Sequence, residues 1–220
     1  MKKLLFVLVC VFSLSTFAQE SISEGVAKSK QTMTSDNEQV QAQLDMVGEV
    51  LTTTYFKNNN TRSETFNLMS GNSITIMDSD SKEMLIMMDN QMVGKKYMTK
   101  NMEPGEEDMK NVTIEKGDET KTILGYECQE YNLTVNKDGA EVKMDMYVTD
   151  KISAISNQAV QMGTKVEGFP LYMEMTMSQM GMNIKITHEV TEINKETVSD
   201  DKFDMTPLEG YEKTDKLMGM

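Results

Sequence analysis

From Leu171 to Val190, apolar and polar residues change places at every step. Leu171, Met173, Met175 and Met177 alternate with Tyr172, Glu174, Thr176 and Ser178, a period of two that belongs to a strand with one buried face. After a turn around Gln179 to Gly181, Met182, Ile184 and Ile186 alternate with Asn183, Lys185 and Thr187. Two such runs joined by a short turn predict a hairpin whose apolar faces coincide.

The same period recurs along most of the chain. It predicts strands over 49–57 and 62–69 about Asn58-Asn59-Asn60, over 73–77 and 84–88 about Asp78-Ser79-Asp80-Ser81, and over 94–98. A long pair, 122–135 and 140–149, flanks Asn136-Lys137-Asp138-Gly139, a strong hairpin turn. Residues 84–88 are apolar on both faces, which predicts a strand covered from both sides. Alternation is weak over 22–33, which reads as an edge strand. The period shifts once: Val40, Leu44 and Val47 recur at helical spacing, behind a Ser35 or Asp36 cap and before a Gly48 stop. Residues 151–163 read as a loop or short helix, and 200–205 as a helical turn before Pro207. The acidic stretch 101–108, with Pro104 and Gly105, reads as an exposed loop. No repeat and no linker interrupts the pattern, so a single mainly β domain of about ten strands with a few short helices is expected.

Met1-Lys2-Lys3, an apolar core from Leu4 to Leu14 and Ser15-Thr16-Phe17-Ala18 form the three regions of a secretory signal peptide. The apolar run is shorter than the roughly 20 residues a transmembrane helix needs. Cleavage near Ala18 is therefore expected, with residues 19–220 as the mature domain in the periplasm or outside the cell. Cys10 lacks the small preceding residue and polar sequel that lipidation requires. Cys128 is then the one mature cysteine, so burial and not a disulfide must stabilise the fold. The formal charge is −13, and more negative once Lys2 and Lys3 leave with the leader. That balance argues against nucleic acid and anionic membrane surfaces and favours cations or basic partners.

Methionine is the anomaly, at 23 of 220 residues. Its flexible, polarisable side chain suits surfaces that adapt to varied apolar ligands, and it serves equally as plain core filling. On the first reading the wall of a ligand site is made by Val142, Met144, Met146, Leu171, Met173, Met175, Met177, Met182, Ile184 and Ile186. Thioethers also select Cu(I), and Met173, Met175, Met177, Met180 and Met182 lie near the single His188. Against copper, sulfurs at alternate strand positions start about 6.6 Å apart. His188 continues the apolar row and reads as a half-buried histidine, since no paired nucleophile or second histidine accompanies it. Cys128 reads as a buried, inert thiol. Lys82 and a missing glycine spoil the calcium-loop likeness of residues 78–83. No catalytic residue, metal site or cofactor is expected.

The order of elements resembles an uncharacterised domain family of Gram-negative envelope proteins, similar in outline to the LolA-like lipoprotein carriers. The resemblance rests on the leader, the early helix, Tyr55-Phe56-Lys57 with Arg62 after it, the run Gly125-Tyr126-Glu127-Cys128-Gln129-Glu130-Tyr131, Gly168-Phe169-Pro170-Leu171, and an ending of Phe203 to Pro207 then Gly210-Tyr211. It implies an antiparallel curved sheet or unclosed β-barrel of LolA/LppX type, with an apolar concavity under a helical lid. It also implies that Arg62 ties the lid to the barrel. The chain departs from those carriers in its acidity and in carrying Met where they carry larger aliphatics and aromatics.

Together these readings predict an exported, non-enzymatic protein binding an apolar ligand, a lipid or lipoprotein acyl chain. Two alternatives stand beside it: an envelope interaction domain with a filled core, its protein partner unnamed, and a Cu(I)-binding Met-rich protein.

Overall fold

The computed structural model describes residues 20–67, 71–103, 105, 111–137, 140–156, 160, 166, 168–179 and 182–217, with the side chains of 136, 137, 140, 141, 179 and 182 outside the description. The segment read as a leader, residues 1–18, lies outside the described residues. One curved, unclosed sheet of twelve strands makes up the fold. The strands are β1 (Glu24–Ser35), β2 (Val50–Lys57), β3 (Asn60–Asn67), β4 (Gly71–Asp78), β5 (Glu83–Asn90), β6 (Gly94–Asn101), β7 (Val112–Ile123), β8 (Tyr126–Lys137), β9 (Ala140–Thr149), β10 (Phe169–Gln179), β11 (Met182–Asn194) and β12 (Glu212–Lys213). Their order is β12-β6-β5-β4-β3-β2-β1-β11-β10-β9-β8-β7, antiparallel except where β12 meets β6. No helix among the described residues is long and apolar enough to cross a membrane.

The Met-rich hairpin forms as its alternation demands. Met173 lies opposite His188, Met175 opposite Ile186 and Met177 opposite Ile184, so the two apolar rows share a face. Its turn, Met180-Gly181, lies outside the described residues, as does Asp138-Gly139. The turn between β2 and β3 is made by Asn58 and Asn59 at φ 48° and 71°, the left-handed pair that a two-residue hairpin needs.

Three expectations are corrected. β1 is not an edge strand: it pairs with β2 on one side and β11 on the other, a long-range closure that local alternation does not encode. The predicted strand 122–135 is broken by Leu124 and Gly125, both at positive φ (50° and 85°). That turn joins β7, which the sequence did not announce, to β8. Leucine hides the turn because it lacks the Asn or Gly character that marks left-handed positions. Finally, helix α1 (Glu38–Val47) is capped by Asn37, whose Oδ1 accepts from the amides of Gln39 (3.0 Å) and Val40 (3.1 Å), while Gly48 ends it as expected. Asp36 turns away and accepts from Asn183 on β11.

β5 is covered on both faces, as its composition requires. On one face Met84 and Ile86 pack with Met77, Met98, Met102 and Leu217. On the other, Leu85 and Met87 pack with Ile76 beneath Met205 and Tyr211. The chain after β11 is a strap across that second, outer face. A 3₁₀ turn, Asp200–Phe203, places the Lys202 ammonium 4.0 Å above the Tyr55 ring, and Lys57 reaches Asp200 (2.7 Å) and the Val198 carbonyl (3.2 Å). β12 then covers the edge of β6, and Leu217 tucks into the inner cluster. The buried Met102 pulls the start of the acidic stretch inward; residues 104 and 106–110 lie outside the described residues.

Candidate functional site

Strand pairing carries one set of side chains across the inner face in continuous rows. Val190, Ser29, Thr52, Thr65, Ser73 and Met88 are successive cross-strand neighbours, and so are Ala27, Thr54, Ser63, Thr75 and Ile86. These residues line a cavity of about 260 Å³, together with Gln31, Val50, Phe169, Pro170 and His188. The volume lies just below the roughly 300–1,000 Å³ usual for small-molecule sites.

The floor of the cavity is hydroxylated. Thr52 and Thr65 pair through their hydroxyls at 2.9 Å, and Thr54 and Ser63 at 3.0 Å. β2 and β3 thus invert the amphipathic rule in part: Thr52, Thr54, Ser63 and Thr65 face inward, while the neighbours Leu51 and Phe66 stand 54 % and 52 % exposed on the outer face. The two cross-strand pairs make this arrangement tolerable, because each of these four hydroxyls finds a partner. Among the described residues no aspartate, glutamate, lysine or arginine lines the cavity. The one ionisable group of the described lining is His188, and burial holds that imidazole below its ordinary value. The described lining is therefore uncharged at neutral pH.

Its cover is the connection from β9 to β10. Ile152 bridges Ile22, Ala154 bridges Asn59, and Ile155 and Ser156 close over the floor. Residues 152–156 of this cover are extended, Val160 is helical with its amide donating to the Ser156 carbonyl at 3.0 Å, and α1 contributes no lining residue. α1 sits against β1 with no side chain fully buried.

None of the nine wall residues with described side chains lines this cavity. They occupy the same inner face further along the sheet, beside it. Met146 and Met173 are buried with Leu133, Val148 and Val166, and Met144 packs against that cluster. Val142, Met175, Met177, Ile184 and Ile186 are half-buried on the same face. Leu171 leaves the row: a bulge between Pro170 and Tyr172 breaks the phase, and Leu171 is sealed in the cluster of Phe56, Cys128 and Tyr147. The side chain of Met182 lies outside the described residues. His188 joins the two regions, opposite Gln31 on one side and Met173 on the other.

Arg62 stands on the outer face, so it cannot tie down the cover of the cavity. Its Nε donates to Glu64 at 2.6 Å and its Nη1 to the Lys202 carbonyl at 3.4 Å; it anchors the C-terminal strap instead. Parity explains this, since Arg62 alternates with Thr61 and Ser63 of the inner row. Cys128 is fully buried, and desolvation pushes its thiol up to about 11, which leaves it protonated and unreactive. Residues 78–81 form a turn in which Asp78 Oδ1 accepts from the amides of Asp80 and Ser81. Among the described residues no group of three or more His, Cys, Asp or Glu could hold a metal ion.

The hydroxyl row was legible in part. Arg62, Glu64 and Phe66 share one phase, so Ser63, Thr65 and Asn67 had to form the other face of β3.

An open antiparallel sheet with an uncharged, hydroxyl-floored concavity defines a mainly β domain built around its inner face. The chain matches the family described as Domain of unknown function (DUF4412) over residues 33–207, and it belongs to that family. No curated protein matches it. Among solved structures, that of PNGF-II in a C2 space group is similar at 14% identity with a TM-score of 0.44, over 86% of this chain and 30% of that chain. The chain thus spans under a third of the PNGF-II chain's length, and a likeness of that degree carries no argument about function.

Proposed function

We propose that the protein is an exported, non-enzymatic binding protein that shelters an apolar ligand, a lipid or a lipoprotein acyl chain, in the concavity of its sheet. The carrying observation is continuity. The cavity over β1 to β5 meets, at His188, a half-buried row of Met175, Met177, Ile184 and Ile186 on the same face. A chain laid along that row would bury apolar area worth about 25 cal/mol per Å². A filled-core interaction domain is the second reading, favoured by the packing of Met146 and Met173 under Val166.

Met175→Asp separates the two. Met175 is half-buried and outside the packed clusters, so the carboxylate reaches water without breaking the fold. The expected result is loss of lipid uptake with the far-ultraviolet circular dichroism and the thermal midpoint retained. Collapse of the fold at this substitution would favour the filled core.

A further inference from the structure

The concavity has two chemistries side by side, and together they point to one class of ligand. We propose, resting on the binding role above, that it selects an uncharged amphiphile: an acyl ester whose oxygens bond to the Ser and Thr floor while its chain follows the Met row.

Several polar groups of the floor are left open. Ser29 lines the cavity, is only 8 % exposed, and has no side-chain hydrogen bond among the described residues. Its hydroxyl is open to the cavity, where an oxygen or nitrogen of an occupant would take the place of water. In the pairs Thr52–Thr65 and Thr54–Ser63 one hydrogen is shared between two oxygens, which leaves each pair a second hydrogen to donate. Neutral His188 offers both a donor and an acceptor. An ester carbonyl accepts from such a floor, and the free hydroxyls of a glycerol donate to it.

Charge decides against the alternatives. A carboxylate or phosphate in the cavity would be buried with no cation beside it among the described lining residues, which is unfavourable. A plain alkane would fill the volume and leave Ser29 unbonded, forfeiting the hydrogen bonds that water would otherwise make. A neutral ester satisfies both halves of the site.

Tritiated 1-palmitoylglycerol, palmitate and hexadecane, each equilibrated at pH 8 with delipidated, leader-processed protein, test the assignment. The ester is expected to bind at least about tenfold more tightly than either of the others. Replacing both members of one pair by isosteres, Thr52→Val with Thr65→Val, is expected to shrink its advantage over hexadecane while the thermal midpoint holds. Ser29→Ala provides a second, milder variant read in the same way. Palmitate binding as tightly as the ester would overturn selection for an uncharged ligand and leave the binding role standing. Hexadecane binding as tightly, or an unchanged preference in both variants, would overturn the role of the floor. Binding of none of the three would overturn the binding role itself.

Discussion

Phe56→Ala is expected to destabilise the protein by about 3–5 kcal/mol, the range for removing a buried aromatic ring. Phe56 is fully buried on β2 and stands 6.5 Å, centroid to centroid, from the Phe169 ring at the start of β10. It also covers Gly25, its cross-strand partner; a β-carbon there would lie 3.0 Å from the ring tip and 2.4 Å from the Asn194 carbonyl oxygen. Glycine is needed at that point because backbone and ring approach too closely for any side chain. The same cluster holds Ile152 and Ala154 of the cavity cover. Losing the ring therefore loosens the cover and the sheet together. Urea titration would show a lower midpoint with little change in slope. A loss below about 1 kcal/mol would mean that the cluster re-closes around the gap, contrary to the close packing described.

Met87→Ala is expected to cost about 2–5 kcal/mol, and the loss should appear in a different part of the molecule. Met87 is fully buried on the outer face of β5, where Met205 and Tyr211 of the strap cover it. Its sulfur also accepts from the Leu208 amide at 3.5 Å. Over residues 200–203 the strap is tied chiefly by ion pairs and cation–π contact near solvent, which contribute little each. Hydrogen exchange should therefore quicken first over residues 204–213, with the β1–β11 ladder less affected. Met87→Leu, close in volume, should cost under about 1.5 kcal/mol. Equal behaviour of the two variants would show that the strap does not depend on packing at this site.

Most strands were legible because each buries one face, and burying one face forces alternation. The β10–β11 hairpin and its shared apolar face followed from its residues. What escaped had physical reasons. The position of β1 between β2 and β11 depends on contacts across more than 150 residues, about which local pattern is silent. The Leu124-Gly125 turn is set by its place in the sheet and not by its own preference. β12 is too short for any period. The cavity itself was not legible because apolar residues mark the inner face elsewhere in the sheet. On β2 and β3 the inner face is hydroxylated, while Leu51 and Phe66 look outward. The lid role that the resemblance implied for Arg62 fails because its phase belongs to the outer face. The Met row was located on the correct face, but half of it is packed core and the cavity lies beside it.

Native mass spectrometry of the leader-processed protein taken from its own envelope, with organic extraction and metal analysis of the same sample, tests the central proposal most directly. The expected result is a bound neutral acyl lipid, released on extraction and absent from the Met175→Asp protein. A chain that emerges with stoichiometric copper, or empty and unable to take up the lipids of that envelope, would contradict it.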